Sequence, residues 1–134
     1  MVKTKISEQD KIQAHNITEE IKEILEPCIN CGMCKSKCPV FKILREEFFS
    51  PRGKVSMLSN EVIEDVVFQC NLCKACEKTC SLDIKICEAI KKSREVLVLK
   101  NKGLNENNEM IKNIRKTGNP FGKNPEKAEK LYCC

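Results

Sequence analysis

The stretch "CINCGMCKSKCPVFK", residues 28–42, places four cysteines at C-x2-C-x2-C-x3-C spacing, and the same spacing returns 42 residues later in "CNLCKACEKTC", residues 70–80. A cubane iron–sulfur cluster is a compact object with several sulfur-seeking irons. Three thiolates from one tight loop can clasp three of them, and the fourth iron needs a thiolate from elsewhere. In the two-cluster pattern the fourth Cys of each run serves the other cluster. The spacing therefore assigns one [4Fe-4S] cluster to Cys28, Cys31, Cys34 and Cys80, and a second to Cys70, Cys73, Cys76 and Cys38. Two structural zinc sites of four thiolates each are the alternative, but zinc sites pair C-x2-C knuckles, and a third Cys at the same spacing crowds one tetrahedron. The cluster reading is the favoured one.

Redox compartment supports it. The chain has 134 residues and eleven cysteines, an odd number that cannot close completely into internal disulfides. The N-terminal "MVKTKISEQDKIQAHNITEE" has no apolar segment of the kind a secretory signal carries, and the longest wholly aliphatic run is "VLVL", residues 96–99. A soluble cytoplasmic protein without membrane insertion is expected, and in a reducing compartment dense cysteines point to metal.

Three cysteines lie outside the motifs. Cys87 falls between Ile84 and Ile90 at helical spacing, so it reads as a small buried hydrophobe rather than a ligand. Cys133 and Cys134 end the chain, where adjacent cysteines on a tail carry no assigned role.

Around the motifs the pattern is helical. "NITEEIKEILEP" offers Asn16 as N-cap with Glu19 three residues on, an apolar face of Ile17, Ile21, Ile24 and Leu25, and Pro27 as the stop. "SPRGKVSMLSNE" starts a second helix with Ser50 as N-cap and Pro51 at the first position, and "EVIEDVVFQ" extends an apolar face through Val62, Val66 and Val67 towards Cys70. Asp83 is positioned to cap a third, carrying Ile84, Cys87, Ile90, Arg94 and Leu97 and ending near Gly103, and a last helix spans about Glu106 to Lys116 before Gly118. Strand-like alternation is absent, which disfavours the two-hairpin β ferredoxin. The expectation is an all-α domain in which metal–thiolate bonds substitute for a core short of aromatics: five Phe, one Tyr and no Trp.

Charge and composition narrow the function. Eight thiolates remove eight charges and two oxidised cluster cores return four, so the formal +5 becomes about +1. Lys91, Lys92, Lys100, Lys112, Arg115 and Lys116 are interleaved with Glu and Asn and have no aromatic platform beside them, so they read as solvated faces rather than a nucleic-acid site. His15, the only histidine, is far from every Cys in sequence. No phosphate loop, nucleotide fingerprint or nucleophile–base pair is present, and electron transfer needs none.

Taken together, "CINCGMCKSKCPVFK", "SPRGKVSML", "CNLCKACEKTC", "IKICEAIKKSREVLV" and "TGNPFG" resemble the iron–sulfur N-terminal region of the heterodisulfide reductase D, glycolate oxidase and anaerobic glycerol-3-phosphate dehydrogenase iron–sulfur subunits. They are also similar to the stand-alone C-type iron–sulfur subunits of the heterodisulfide reductases of methanogens. The resemblance covers about residues 17–122. It implies an α-helical ferredoxin fold with two [4Fe-4S] clusters, in an electron-transfer subunit between a flavin-bearing donor subunit and a CCG-domain catalytic subunit. Residues 1–16 then form an N-terminal segment, 17–104 the dicluster domain, and 105–134 a C-terminal helix and tail available to a partner. An accessory protein delivering low-potential electrons to activate or assemble another metalloenzyme is the competing role. The chain departs from the family twice: Ser81 stands where a proline is usual after the second motif, and the sequence stops at "EKLYCC", where larger members continue into CCG domains; if the function requires that chemistry a partner is expected to supply it, a truncated or split gene being the alternative.

Overall fold

A computed structural model describes residues 6–122, and among them every regular element is helical. The chain divides into two compact units, one up to Lys102 and one from Gly103.

The first unit is organised by two long helices, α1 (Glu8–Leu25) and α5 (Ile86–Leu99), which pack along each other. On α1, Ala14, Ile17, Ile21 and Leu25 recur every three or four residues and are all buried. On α5 the buried stripe runs from Ile86 and Ile90 to Val96 and Leu97. Fully burying each Ile or Leu stabilises the fold by about 1.5–3 kcal/mol. Polar groups inside this interface are satisfied locally: the Thr18 hydroxyl donates to the Ala14 carbonyl at 2.7 Å and the Ser93 hydroxyl to the Ile90 carbonyl at 2.8 Å. At its rim, the Lys92 Nζ and Glu20 Oε2 are 2.6 Å apart. None of the five Phe is buried. The core is thin and aliphatic, as composition requires.

Helix α1 starts nine residues before the position expected from Asn16. Ser7 is the actual N-cap, accepting from the Asp10 N–H while the Asp10 carboxylate accepts from the Ser7 N–H, both at 3.1 Å. This reciprocal box overrides the weaker signal at Asn16, and Ala14 extends the buried stripe back to meet it. The end is as read, with Leu25 the last helical residue before Pro27.

Two short helices follow the first cysteine run, α2 (Pro39–Leu44) and α3 (Pro51–Ser59). Ser50 caps α3 as expected, its hydroxyl accepting from the Gly53 N–H at 2.8 Å, with Pro51 at the first position. Gly53 has a steric requirement: a Cβ there would sit 2.0 Å from the Glu47 carbonyl oxygen. Only glycine lets α3 approach the 3₁₀ turn Glu47–Phe49 this closely. The apolar face does not continue through Val62. Glu61 turns the chain at φ 61°, Val62 is left 45% exposed, and a separate 3₁₀ turn, Asp65–Gln69, buries Val66 and Val67. The Glu61 carboxylate is held at that turn by the Lys22 Nζ, 2.6 Å away.

The second run contains α4 (Ala75–Thr79) and leads into α5. Asp83 does not cap α5. It adopts φ 51° and pairs with the Lys85 Nζ at 2.7 Å, and the helix begins at Ile86 without a side-chain cap.

The second unit is described here by α6 (Asn105–Thr117), which closes on Gly118 at φ 70°, the conformation that favours glycine at a helix C-terminus. Met110, Ile111 and Ile114 are exposed on it.

Candidate metal centre

The sequence repeat is also a backbone repeat. Two residues after the first Cys of each run the chain takes a left-handed conformation, at Asn30 (φ 55°) and Leu72 (φ 56°), and it does so again two residues later, at Gly32 (φ 81°) and Lys74 (φ 60°). A short helical turn follows, Met33–Lys37 in one run and α4 in the other. The fourth Cys is then extended, with φ and ψ of −76° and 117° at Cys38 and −76° and 120° at Cys80. Left-handed backbone is unfavourable for L-residues, so Leu72 and Lys74 hold conformational strain that Asn30 and Gly32 largely avoid. Two runs that share little besides their cysteines follow one path, the signature of a shape that the site requires.

The two turns pack against each other. One cavity is lined by Cys28, Cys31 and Cys34 together with Cys80. A second is lined by Cys70, Cys73 and Cys76 together with Cys38. Each quartet therefore takes three thiols from one run and the last thiol from the other, and Ile86 forms part of both walls. Cys31 and Cys73, at the same place in each run, are the exposed members, and Cys76 is buried. Among the described residues no three Cys, His, Asp or Glu converge as tightly as one metal ion needs. The thiols surround a space instead of meeting at a point. Sulfur-only donors around an otherwise largely apolar lining fit iron–sulfur clusters.

Electrostatics mark the same groupings. Burial pushes the Cys34 thiol up, and the sulfurs of Cys28, Cys31 and Cys80 push the same way. Burial and then the neighbouring Cys87 and Cys70 raise the Cys76 thiol well above its ordinary range. A metal taking these positions must displace their protons.

Charged side chains brace the runs from behind. The Arg94 guanidinium, on α5, donates to the Val67 carbonyl from Nε at 3.1 Å and from Nη2 at 2.9 Å, and its Nη2 also reaches the carbonyls of Phe68 and Cys70. It stands 5.6 Å over the Phe68 ring. This fork fixes the turn that delivers Cys70. On the other run, Glu47 accepts from the Arg52 Nε at 2.8 Å and the Lys35 Nζ at 2.5 Å, and these cations hold its carboxyl down to about 2. Arg52 lines the first cavity, so this ion-pair network ties it to the loop of the first run. Lys54, 3% exposed, lines the second cavity and donates from Nζ to the Phe49 carbonyl at 2.6 Å.

Arg94, Glu47 and Lys54 were not singled out by spacing alone. The available signal was a charge on an apolar stripe: Arg94 falls between Ile90 and Leu97, where solvation cannot explain it. Cys87 is buried as expected but also lines the second cavity. Ser81 lines the first and is exposed. His15 is exposed on α1, and Cys133 and Cys134 lie outside the described residues.

Residues 24–84 match the family model of the 4Fe-4S dicluster domain. The chain carries a 4Fe-4S dicluster domain. Among proteins with similar sequences, the glycolate oxidase iron-sulfur subunit of Escherichia coli K12 is 27% identical over 104 residues, which cover 72% of this chain and 25% of that protein. A C-type iron-sulfur subunit of the CoB--CoM heterodisulfide reductase of Methanocaldococcus jannaschii is 29% identical over 83 residues, 61% of this chain and 45% of the relative. The acetyl-CoA decarbonylase/synthase complex subunit alpha 1 of Methanosarcina mazei is 31% identical over 86 residues, 63% of this chain and 10% of the relative. The chain thus spans less than half the length of each. The resemblance read from the motifs is found at modest identity: the chain is similar to a C-type iron–sulfur subunit of heterodisulfide reductase and to a glycolate oxidase iron–sulfur subunit. No helix among the described residues is long and apolar enough to cross a membrane.

Proposed function

We propose that Cys28, Cys31, Cys34 and Cys80 hold one [4Fe-4S] cluster and that Cys38, Cys70, Cys73 and Cys76 hold a second. On this reading the chain is a non-catalytic electron-transfer subunit of a cytoplasmic, heterodisulfide-reductase-like complex. It relays electrons between a flavin-containing or other donor subunit and a CCG-domain catalytic subunit. The observation that carries the reading is the crossed composition of the two quartets around neighbouring cavities.

The clusters supply one-electron carriers, and the chain supplies their setting. Eight thiolates tie residues 28–80 together where the aliphatic core is thin. Ile86, in both walls, keeps water from between the two sites. Exposed Cys31 and Cys73 leave each site with an edge towards the surface, where donor and acceptor subunits can approach. Arg52 and Lys54, one at each cavity, place positive charge where reduction adds negative charge, which favours the reduced state. The dicluster domain is taken as residues 17–104, and 105–134, with exposed Met110, Ile111 and Ile114, as a partner contact.

Anaerobic purification from the native cell tests both parts. The expected protein carries about eight iron and eight acid-labile sulfide per chain, as two cubanes require. It co-purifies stoichiometrically with a flavin or CCG-domain subunit. Zinc, or about four iron, defeats the ligand assignment. Transient association with an immature metalloenzyme alone defeats the assigned role.

A further inference from the structure

The two cavities are not equivalent: four cysteines line the first and five line the second, the extra one being Cys87. Cys87 lies seven positions after the last Cys of its run, and the same offset from Cys38 gives Arg45, which is exposed. The repeat that accounts for eight of the eleven cysteines does not account for this one.

Cys87 is 2% exposed and lines the second cavity beside Cys70 and Cys76. Its position is set from the second run itself. The Glu77 carboxylate, next to Cys76 in sequence, accepts the Cys87 N–H at 2.7 Å, which fastens the start of α5 onto α4. A buried cysteine elsewhere in a helix is adequately explained as a small hydrophobe. Here a thiol is pinned beside a quartet of thiols, within reach of the space they surround.

We propose that Cys87 is a fifth sulfur donor at the second cavity, held in reserve to replace Cys76 as an iron ligand. This rests on the cluster reading above. The exchange is redox-neutral: Cys87 passes its proton to the departing Cys76 sulfur, one iron–sulfur bond breaks and one forms. Among the described residues the first cavity has no such reserve, so the two sites differ in their tolerance to loss of a donor.

The test compares wild type with Cys87→Ala, Cys76→Ala, Cys34→Ala and the Cys76→Ala/Cys87→Ala double variant, each purified anaerobically as full chain. Iron, acid-labile sulfide and EPR spectra are the readouts. Cys87→Ala and Cys76→Ala each keep about eight iron, whereas Cys34→Ala and the double variant fall towards about four. Cys76→Ala falling as far as Cys34→Ala overturns the proposal, as does a double variant that keeps its iron. Loss of iron in Cys87→Ala alone also overturns it, since Cys87 is then a resting ligand. If Cys76→Ala yields no folded protein, the near-isosteric, non-ligating Cys76→Val takes its place, and failure of both where Cys34→Ala folds counts against the proposal. Wild type with four iron or with zinc is a different result, which removes the cluster reading itself.

Discussion

Replacing Arg94 with Met keeps most of the aliphatic stem and removes the guanidinium that gathers the carbonyls of Val67, Phe68 and Cys70. Hydrogen bonds to a charged group contribute about 1.5–3 kcal/mol each, and carbonyls left without a donor cost more again. Arg94 is only half-buried, so water takes over part of the lost interaction. A net local loss of roughly 2–3 kcal/mol follows, concentrated on the turn that presents Cys70. At 1.4 kcal/mol per decade, that turn opens roughly thirty- to a hundredfold more often. The assay is anaerobic iron release to a chelator, with EPR following each cluster. In Arg94→Met the phase belonging to the Cys70, Cys73, Cys76 and Cys38 quartet accelerates by that factor, and the other phase moves little. Arg94→Lys recovers only part of the effect, because an ammonium lacks the planar fork. Equal acceleration of both phases refutes the local clamp and makes Arg94 a general stability residue. No acceleration refutes its relevance altogether.

Gly53→Ala forces a Cβ into the Glu47 carbonyl, so the backbone at the start of α3 must move. A cost of about 3 kcal/mol lowers the thermal midpoint by more than about 10 °C, and an unchanged melting curve contradicts the close approach. Lys74→Gly relaxes a left-handed residue to match Gly32, and the gain, net of glycine's extra chain entropy, is about 0.5–1 kcal/mol, read as a raised midpoint with both clusters retained. Ser81→Pro removes an N–H and a hydroxyl beside Cys80, at the wall of the first cavity. If the lost donor favours the reduced state by ~1 kcal/mol, the potential of the Cys28, Cys31, Cys34 and Cys80 cluster falls by about 40 mV. An EPR-monitored titration showing two unmoved midpoints, or a shift in the other cluster, sinks that argument.

The cysteine runs were legible because spacing alone limits what thiolates can hold, and the structure brings the eight residues into the two groups that spacing gives. Helix existence was equally legible from apolar periodicity and from caps such as Ser50 and Gly118. Some boundaries were not, and each departure has a local cause. Asn16 resembles an N-cap in isolation, but Ser7 and Asp10 form a better box upstream. Val62 fits a helical stripe, yet Glu61 turns left-handed under its ion pair with Lys22, and the stripe is broken. Asp83 is a plausible cap whose carboxylate goes to Lys85 instead. The supporting charges were the least legible part. What Arg94 and Glu47 do depends on carbonyls and cations brought together by the fold, and no local pattern encodes those contacts.

Crossing of the ligand sets is tested directly by EPR of the reduced, anaerobically purified Cys38→Ala variant, compared cluster by cluster with wild type. Crossing predicts that the signal assigned to the cluster of Cys70, Cys73 and Cys76 is altered or lost while the other persists, although Cys38 belongs to the first run in sequence. Loss of the signal from the Cys28, Cys31 and Cys34 cluster, with the other unchanged, contradicts the account.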